Sequence, residues 1–359
     1  MRKRVLIDCR NLSYPGSGLC SYVEGILSCL GRYTDNIDFL FLVEDRESIE
    51  RLKLKYSYRI IIAGCKKSNS LLRDFFEQIV FPLRFIFYKI DIFHGVDYYI
   101  PFMPTFYKKV TTIHDCAVFY EFEGRHKVAK TYCRLMQNLS ARLSDKIIAI
   151  TNFGKNEIVK YHKVDSDKIA VVLNGINKDF YEPINREVES RVNVKIQEFG
   201  KYILYYGGYR KHKNVKTLLK AFYQSERKDM KLVLVGSHFA VESFLADSDN
   251  DHKNIIVWGF ATNEELKCLL DNCEAFIFPS IYEGFGLPIA EAMARKTKTI
   301  CKNIEVAKEV GNDSVYYFDN QTDLVNIIKN IESIPKKSNS ITYHWEDSIS
   351  EYINLFNSL

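Results

Sequence analysis

A chain of 359 residues is too long for one ordinary hydrophobic core and fits two domains of about 150–200 residues each. Its 47% hydrophobic content is that of a globular protein, and a formal charge of +5 is too small to argue for nucleic acid, though it favours anionic partners such as phosphates or a lipid surface. Nine scattered cysteines without CxxC or Cys/His spacing speak against a disulfide framework or structural zinc and for a reducing cytoplasm.

Met1-Arg2-Lys3-Arg4 resembles the start of a signal peptide, but Asp8 and Arg10 interrupt the apolar run that follows. No run approaches the ~20 apolar residues of a membrane span, so the chain is expected to be soluble or peripheral. Arg4–Asp8 reads as a buried strand, followed by the loop Asn11–Gly18 and a helical stretch from Leu19 to Leu30. Strand, glycine loop and helix open a Rossmann-type unit. Gly16 and Gly18 lack the third glycine of the dinucleotide fingerprint, since position 21 is Ser21, which argues against NAD.

Further strands are predicted at Phe39–Val43, Ile60–Ala63, Ile90–Phe93, Val110–Ile113, Lys146–Ile150 and Ile169–Leu173, with helical patterns between most of them. That alternation predicts a mainly parallel sheet. His114 and Asp115 follow directly on one of these strands, where ligands gather in open α/β sheets; a satisfied histidine with a capping aspartate is the plainer alternative. Between Phe75 and Tyr88 lies an aromatic-rich stretch, and from Glu44 to Lys89 ten Lys/Arg stand against six Asp/Glu, as in a surface that lies against anionic lipid. Ile79, Leu83 and Ile86 sit at core spacing within it and are expected to be buried.

Asn174-Gly175 ends the first half, and the charged stretch that follows, through Pro183 to about Lys195, reads as an irregular linker between domains. A second alternation follows, with strands at Tyr202–Tyr206, Lys231–Val235, Ile255–Trp258 and Ala275–Phe278 and helices at Val215–Tyr223 and Glu264–Leu270. Thr262 and Glu265 have the spacing of a capping box for the last of these helices. Between the first strand and helix lies Gly207-Gly208-Tyr209-Arg210-Lys211-His212-Lys213-Asn214, whose small residues allow an anion to approach and whose cations would hold it. Asp165-Ser166-Asp167 and Asp247-Ser248-Asp249 have the D-x-D spacing of a divalent-ion site, but polar Asp/Ser runs usually make turns, and no metal is expected.

The most informative stretch is Phe276–Ala294. A buried strand passes through Pro279-Ser280 into the turn Glu283-Gly284-Phe285-Gly286, and Pro288 then stands in a first helical turn, where its missing N–H costs nothing. Ile289, Ala292 and Met293 form the buried face of that helix, and Glu291, about 200° round from Ile289, points off it. Two carboxylates thus flank a helix N-terminus with free N–H groups, which suits a diphosphate with sugar hydroxyls on either side. A capped helix with a solvated glutamate is the plainer alternative.

This segment, with its E-x7-E spacing of Glu283 and Glu291 around GFGLP, resembles the donor site of family-4 retaining glycosyltransferases of the GT-B fold. The likeness extends over most of the chain. It implies an α/β architecture of two Rossmann-like, doubly wound domains facing across a cleft: an acceptor-binding domain at 1–185, a nucleotide-sugar-binding domain at 186–340, and a C-terminal helix at 341–359, opened by Trp345-Glu346-Asp347, that returns to the N-terminal domain.

The resemblance also implies roles. Glu291 would hold the ribose. The turn Gly284-Phe285-Gly286-Leu287 with Gly208 would bind the diphosphate together with Lys213 and Arg210, and Glu283 would hold the donor sugar. His114, in a TIHD segment similar to the family's cleft floor, would lie beneath the reacting centre. Gly16, Ser17, Gly18 and Asp115 would stand on the acceptor side. Gly208 stands where many members carry the phosphate-binding arginine, so Arg210 is the candidate substitute. No cofactor or metal is implied beyond the nucleoside-diphosphate sugar. The implied reaction is retaining transfer of a hexose-type sugar to a glycan, such as a lipid-linked O-antigen or capsule intermediate, at the cytoplasmic face of the membrane. Rival readings are a nucleotide-sugar epimerase on the same frame and a non-catalytic sugar-nucleotide-binding subunit.

Overall fold

The computed structural model describes residues 2–66, 70–121, 127–237, 241–242, 245 and 252–359. The chain divides into two units, each built on its own parallel sheet.

The first unit comprises Met1–Tyr120, Arg125–Asn177 and Tyr343–Leu359. Its seven strands are β1 (Lys3–Asp8), β2 (Ile37–Val43), β3 (Arg59–Ile62), β4 (Ile92–Gly95), β5 (Lys108–Ile113), β6 (Lys146–Ala149) and β7 (Ile169–Val171). They lie in the order β3-β2-β1-β4-β5-β6-β7, with every pair parallel. Val5 is paired with Phe39 on one side and Ile92 on the other, so β1 is covered along both edges. A strand buried on both faces needs a nearly continuous apolar run, and Val5-Leu6-Ile7 supplies it.

The terminal helix, Trp345–Ser358, belongs to this unit. The Ile176 amide donates to Tyr343 O at 2.9 Å, Ser348 Oγ to Leu173 O at 2.5 Å, and Lys3 Nζ to Phe356 O at 2.8 Å. The Tyr22 and Tyr352 hydroxyls share a hydrogen bond in the core. Trp345 is seated over two glycines: a Cβ at Gly25 would come 2.0 Å from its ring, and one at Gly175 would come 2.4 Å from its backbone nitrogen. Gly25→Ala should therefore destabilise the protein by about 1–3 kcal/mol despite the better helix propensity of alanine. A lowered thermal midpoint with faster proteolytic loss of the C-terminal helix would show it; an unchanged midpoint would refute this account of the seat.

Around the same unit, one expectation fails. Residues 70–88 form a continuous helix with a π-turn at Phe76–Val80. Its covered face is Glu77, Phe81, Pro82 and Phe85, whereas Ile79, Leu83 and Ile86 are each about half exposed. Both faces carry apolar residues four apart, and Glu77 turns inward because Arg10 is buried there to receive it at 2.6 Å.

The second unit is built on Lys178–Thr342. Its strands are β8 (Tyr202–Tyr206), β9 (Lys231–Val235), β10 (Ile255–Gly259), β11 (Ala275–Phe278), β12 (Thr299–Lys302) and β13 (Tyr316–Phe318), in the order β10-β9-β8-β11-β12-β13, again all parallel. The last two, only four and three residues long, escape the sequence reading. The stretch read as an irregular linker is a helix, Arg186–Phe199, begun by Asn185, whose side chain accepts from the Glu187 and Val188 amides. Val192 is its one buried residue, so it has almost no apolar stripe to reveal it. The expected capping box is present, with Thr262 and Glu265 exchanging hydrogen bonds at the start of Asn263–Asn272. No helix among the described residues is long and apolar enough to cross a membrane.

Candidate functional site

In a doubly wound sheet, the chain leaves the strands in opposite directions at one point, and the crevice beyond the carboxyl ends there is the natural ligand site. In the second unit that point lies between β8 and β11, which are neighbours although 70 residues separate Lys213 from Glu283. The loops following these two strands are the two that the sequence singled out.

They are tied together. The Ile281 amide donates to His212 O at 2.8 Å, and Asn214 Nδ2 to Pro279 O at 3.1 Å. Asn214 adopts the left-handed conformation, φ 55°, and its Oδ1 accepts from Thr217 Oγ1 at 2.7 Å. This fixes the short turn Lys211–Lys213 ahead of the helix Val215–Gln224. Lys213 Nζ then reaches both oxygens of Glu283, at 2.7 and 2.9 Å, with the two side chains 21% and 12% exposed. The pair is partly withdrawn from water, so its charges act at a lower effective dielectric than surface charges do.

Beyond Glu283 the chain turns at Gly286, φ +89°, where a Cβ-bearing residue would be strained and would crowd Ile289. The helix Leu287–Ala294 starts there. The sequence reading expected several free N–H groups at this end, and the structure reduces them. Pro288 has none, and the Ile289 amide already donates to Gly286 O at 2.9 Å. Fewer N–H groups are therefore left at this helix end for an anion. Phe285 is buried beneath the turn, and Gly284 and Leu287 are half-buried at its surface.

Glu291 lies off the Ile289–Ala292–Met293 face, as expected, but it is not a solvated side chain. Its Oε2 accepts from the Tyr206 hydroxyl at 2.9 Å, and burial pushes its carboxyl up to about 7, an effect only partly offset by that hydrogen bond. Tyr206 closes β8, packs against Phe276, and also lies 3.1 Å from Pro288 O. It is the site residue that sequence reasoning missed. The one signal was a tyrosine at the carboxyl end of a strand, and its neighbour Tyr205 carries the same signal while bonding to Gly208 O at 2.5 Å instead.

Arg210 is exposed, and its guanidinium makes no hydrogen bond or ion pair among the described residues; the structure does not bring it onto the Lys213–Glu283 pair. A Cβ at Gly208 would have only Lys213 within 4 Å, at 3.8 Å, an ordinary contact.

In the first unit, the switch point lies between β1 and β4. The loop after β1 carries Gly16, Ser17 and Gly18, and Ser17 caps the helix Gly18–Cys29 by accepting from the Cys20 amide. His114 follows β5, and its Nε2 lies 2.7 Å from Val96 O, just past the end of β4. A carbonyl only accepts, so this contact calls for a proton on Nε2. The Tyr22 ring packs edge-on against His114 with centroids 4.5 Å apart, joining that helix to the β5 end. Asp115 accepts from the Ala117 amide and is part of a turn. Asp165 likewise caps a turn by accepting from the Asp167 amide, whereas Asp247–Asp249 lies outside the described residues.

Comparison with known proteins agrees with this fold. Residues 39–180 match the family model described as Glycosyltransferase Family 4, and residues 187–345 match the one described as Glycosyl transferases group 1. The O-antigen chain mannosyltransferase RfbU of Salmonella typhimurium is 29% identical over 65% of this chain, and the match spans 63% of its own length. The O-antigen chain mannosyltransferase B of Escherichia coli is 26% identical over 76% of this chain and 75% of its own. Among solved structures, sucrose-phosphate synthase from Thermosynechococcus elongatus superposes with a TM-score of 0.76 at 14% identity, covering 99% of each chain. Anabaena HepE in complex with UDP and glucose gives 0.69 at 14% identity, covering both chains in full. Between them the two family models take in most of both parallel-sheet units, and the chain belongs to the family-4 glycosyltransferases, with the GT-B fold.

Proposed function

We propose that this protein is a retaining, metal-independent glycosyltransferase that moves a hexose-type sugar from a nucleoside diphosphate to a hydroxyl of a lipid-linked glycan, in the synthesis of a bacterial polysaccharide of the O-antigen or capsule kind, at the cytoplasmic face of the membrane. The observation that carries this reading is the meeting of Lys213 and Glu283 at the switch point of the second sheet, with Glu291 one helical turn beyond. The O-antigen mannosyltransferases among its relatives support the substrate class, and HepE, solved with UDP and glucose, supports a nucleotide-sugar donor.

In this reading Lys213 lies where negative charge builds as the nucleoside diphosphate leaves, and a fixed cation there stabilises the transition state more than the ground state. Glu291 accepts hydrogen bonds from ribose hydroxyls and Glu283 from hydroxyls of the donor sugar. His114 lies beneath the reacting centre, and Asp115 and the Gly16–Gly18 loop serve the acceptor. The C1–O bond to the diphosphate breaks, and the acceptor oxygen bonds to C1 on the same face. The leaving phosphate oxygen takes the acceptor's proton, so no covalent carboxylate intermediate is required.

The test is the anomeric configuration of the product. A panel of nucleotide sugars is screened first for thermal stabilisation, where a ligand at 100 times its dissociation constant adds about 2.7 kcal/mol. The donor that emerges is incubated with lipid-linked acceptor, and the product is read by NMR. Retention is expected. Inversion would overturn the mechanism, and turnover of the donor without acceptor to an epimer would overturn the reaction class.

A further inference from the structure

The ring of Tyr22 is held at both ends. Its backbone belongs to the helix Gly18–Cys29, and its buried hydroxyl hydrogen-bonds with Thr112 Oγ1 at 2.9 Å and with the Tyr352 hydroxyl of the terminal helix. Thr112, on β5, lies in turn 2.9 Å from Nε2 of the buried His94 on β4. Burying a phenol costs free energy unless its hydroxyl is paired, so the two tyrosines keep the orientations in which these bonds are made. Burial pushes the pKa of His94 down to about 3, and the nearby His114 adds to that shift. At neutral pH the chain of side chains therefore joins uncharged groups: it orients them and moves no charge.

The ring pinned in this way is the one that meets His114. The two lie edge to face, with 85° between their planes and 4.5 Å between centroids, and Trp345 packs on the same tyrosine at 5.6 Å. The contact of His114 Nε2 with Val96 O, at 2.7 Å, fixes one point of the imidazole. A single hydrogen bond leaves a ring free to pivot about it, and an aromatic wall in edge contact restricts that pivot. Removing the wall's own anchor should therefore loosen His114 without touching it.

We propose that Tyr22 is a positioning residue for His114, and that Tyr352 sets Tyr22 from the terminal helix. The last helix of the chain thereby acts on the imidazole through two tyrosines. The use of this device for transfer rests on the reading that sets His114 beneath the reacting centre, which it deepens.

The test reads His114 directly, with no ligand present. In the full chain labelled at the histidine ring nitrogens, long-range proton–nitrogen NMR spectra report the proton position and surroundings of each imidazole, and His114→Gln assigns the signal. Wild type should show one sharp His114 state protonated on Nε2. Tyr22→Phe and Tyr352→Phe should each broaden or split it, although Tyr352 acts from two contacts away. Ile353→Ala, a buried truncation in the same helix, is the control for mere loosening: it should lower the thermal midpoint and leave the His114 signal unchanged. With the donor and lipid-linked acceptor of the anomeric test, Tyr22→Phe should lower kcat about tenfold and keep donor KM within about twofold, because misorientation at a reacting centre costs rate more than binding. Tyr22→Leu, which removes the wall, should cost more than Tyr22→Phe, which keeps it. An unchanged His114 signal in Tyr22→Phe, or an equal change in Ile353→Ala, would overturn the assignment. A displaced signal with unaltered kcat would uphold the positioning and overturn instead the placing of His114 beneath the reacting centre.

Discussion

Lys213→Ala should lower kcat/KM for transfer by about 10²–10³-fold, the scale found when one charge-stabilising donor is removed from a transition state. The loss has two sources. The cation beside the departing diphosphate is gone, and Glu283, 12% exposed, is left as an unpaired anion facing the same phosphates. Glu283→Ala separates them. It frees Lys213, so a free nucleoside diphosphate should bind as well as to wild type or better, while turnover falls because the sugar has lost its hydrogen-bond acceptor. The double variant should lose less than the two single effects multiplied, since the residues act as a pair. Lys213→Ala should also cost about 1–3 kcal/mol of stability from the stranded carboxylate, leaving most of a typical folding free energy intact. Calorimetry with nucleoside diphosphate and steady-state kinetics on the four proteins provide the check. If Glu283→Ala weakened nucleoside-diphosphate binding as strongly as Lys213→Ala, Glu283 would not be a sugar-side group.

The two halves of this pair were legible separately but not together. Glu283 stands in a strand–turn–helix passage whose grammar is local: an apolar run, Pro279, glycine at a left-handed turn, and Pro288 in the first helical turn. Lys213 likewise announces itself in a glycine-led basic loop after a strand. Their partnership is a matter of topology, because β8 and β11 become neighbours only when the sheet winds outward in both directions. The same gap hides Tyr206. Successive strand residues face opposite ways, and Tyr205 and Tyr206 differ only in which side of β8 meets Glu291.

Periodicity fails where two answers share one pattern. On the helix of residues 70–88, the set Glu77, Phe81 and Phe85 and the set Ile79, Leu83 and Ile86 both have the spacing of one helical face, and that spacing alone favoured the wrong one. What decides is Arg10 on the neighbouring chain segment, buried and needing a carboxylate, which draws the face bearing Glu77 inward. The helix Arg186–Phe199 is obscured for the opposite reason: a polar helix with one buried side chain has no stripe to count, and its start is marked only by Asn185.

Donor affinity should rise with pH through about 7, because burial holds the Glu291 carboxyl up at that value and ribose hydroxyls are bound best by the ionised form. Below about 7, each further pH unit down should weaken binding toward the tenfold limit; above it, affinity should level off. A nucleotide sugar is the right probe, since its diphosphate, esterified at both ends, has no group titrating near neutrality. Glu291→Gln should flatten the profile and weaken binding by about ten- to a hundredfold, the loss of hydrogen bonds to a charged acceptor. Tyr206→Phe should shift the midpoint upward, because the hydroxyl's hydrogen bond favours the carboxylate. Stability without ligand runs in the other direction. The folded carboxyl keeps its proton up to about 7 and the unfolded one only to about 4.5, so between those values the folded state binds the extra proton. Glu291's contribution is therefore complete below about 4.5, declines as pH rises to about 7, and is constant beyond, and Glu291→Gln should remove that slope. If Glu291 holds the ribose, the donor should bind best in the range where Glu291 contributes least to the fold, and part of the binding energy would go into sustaining a charge that the site disfavours. Flat wild-type binding between pH 6 and 8, or a Glu291→Gln variant that binds donor as well as wild type, would remove Glu291 from the ribose site.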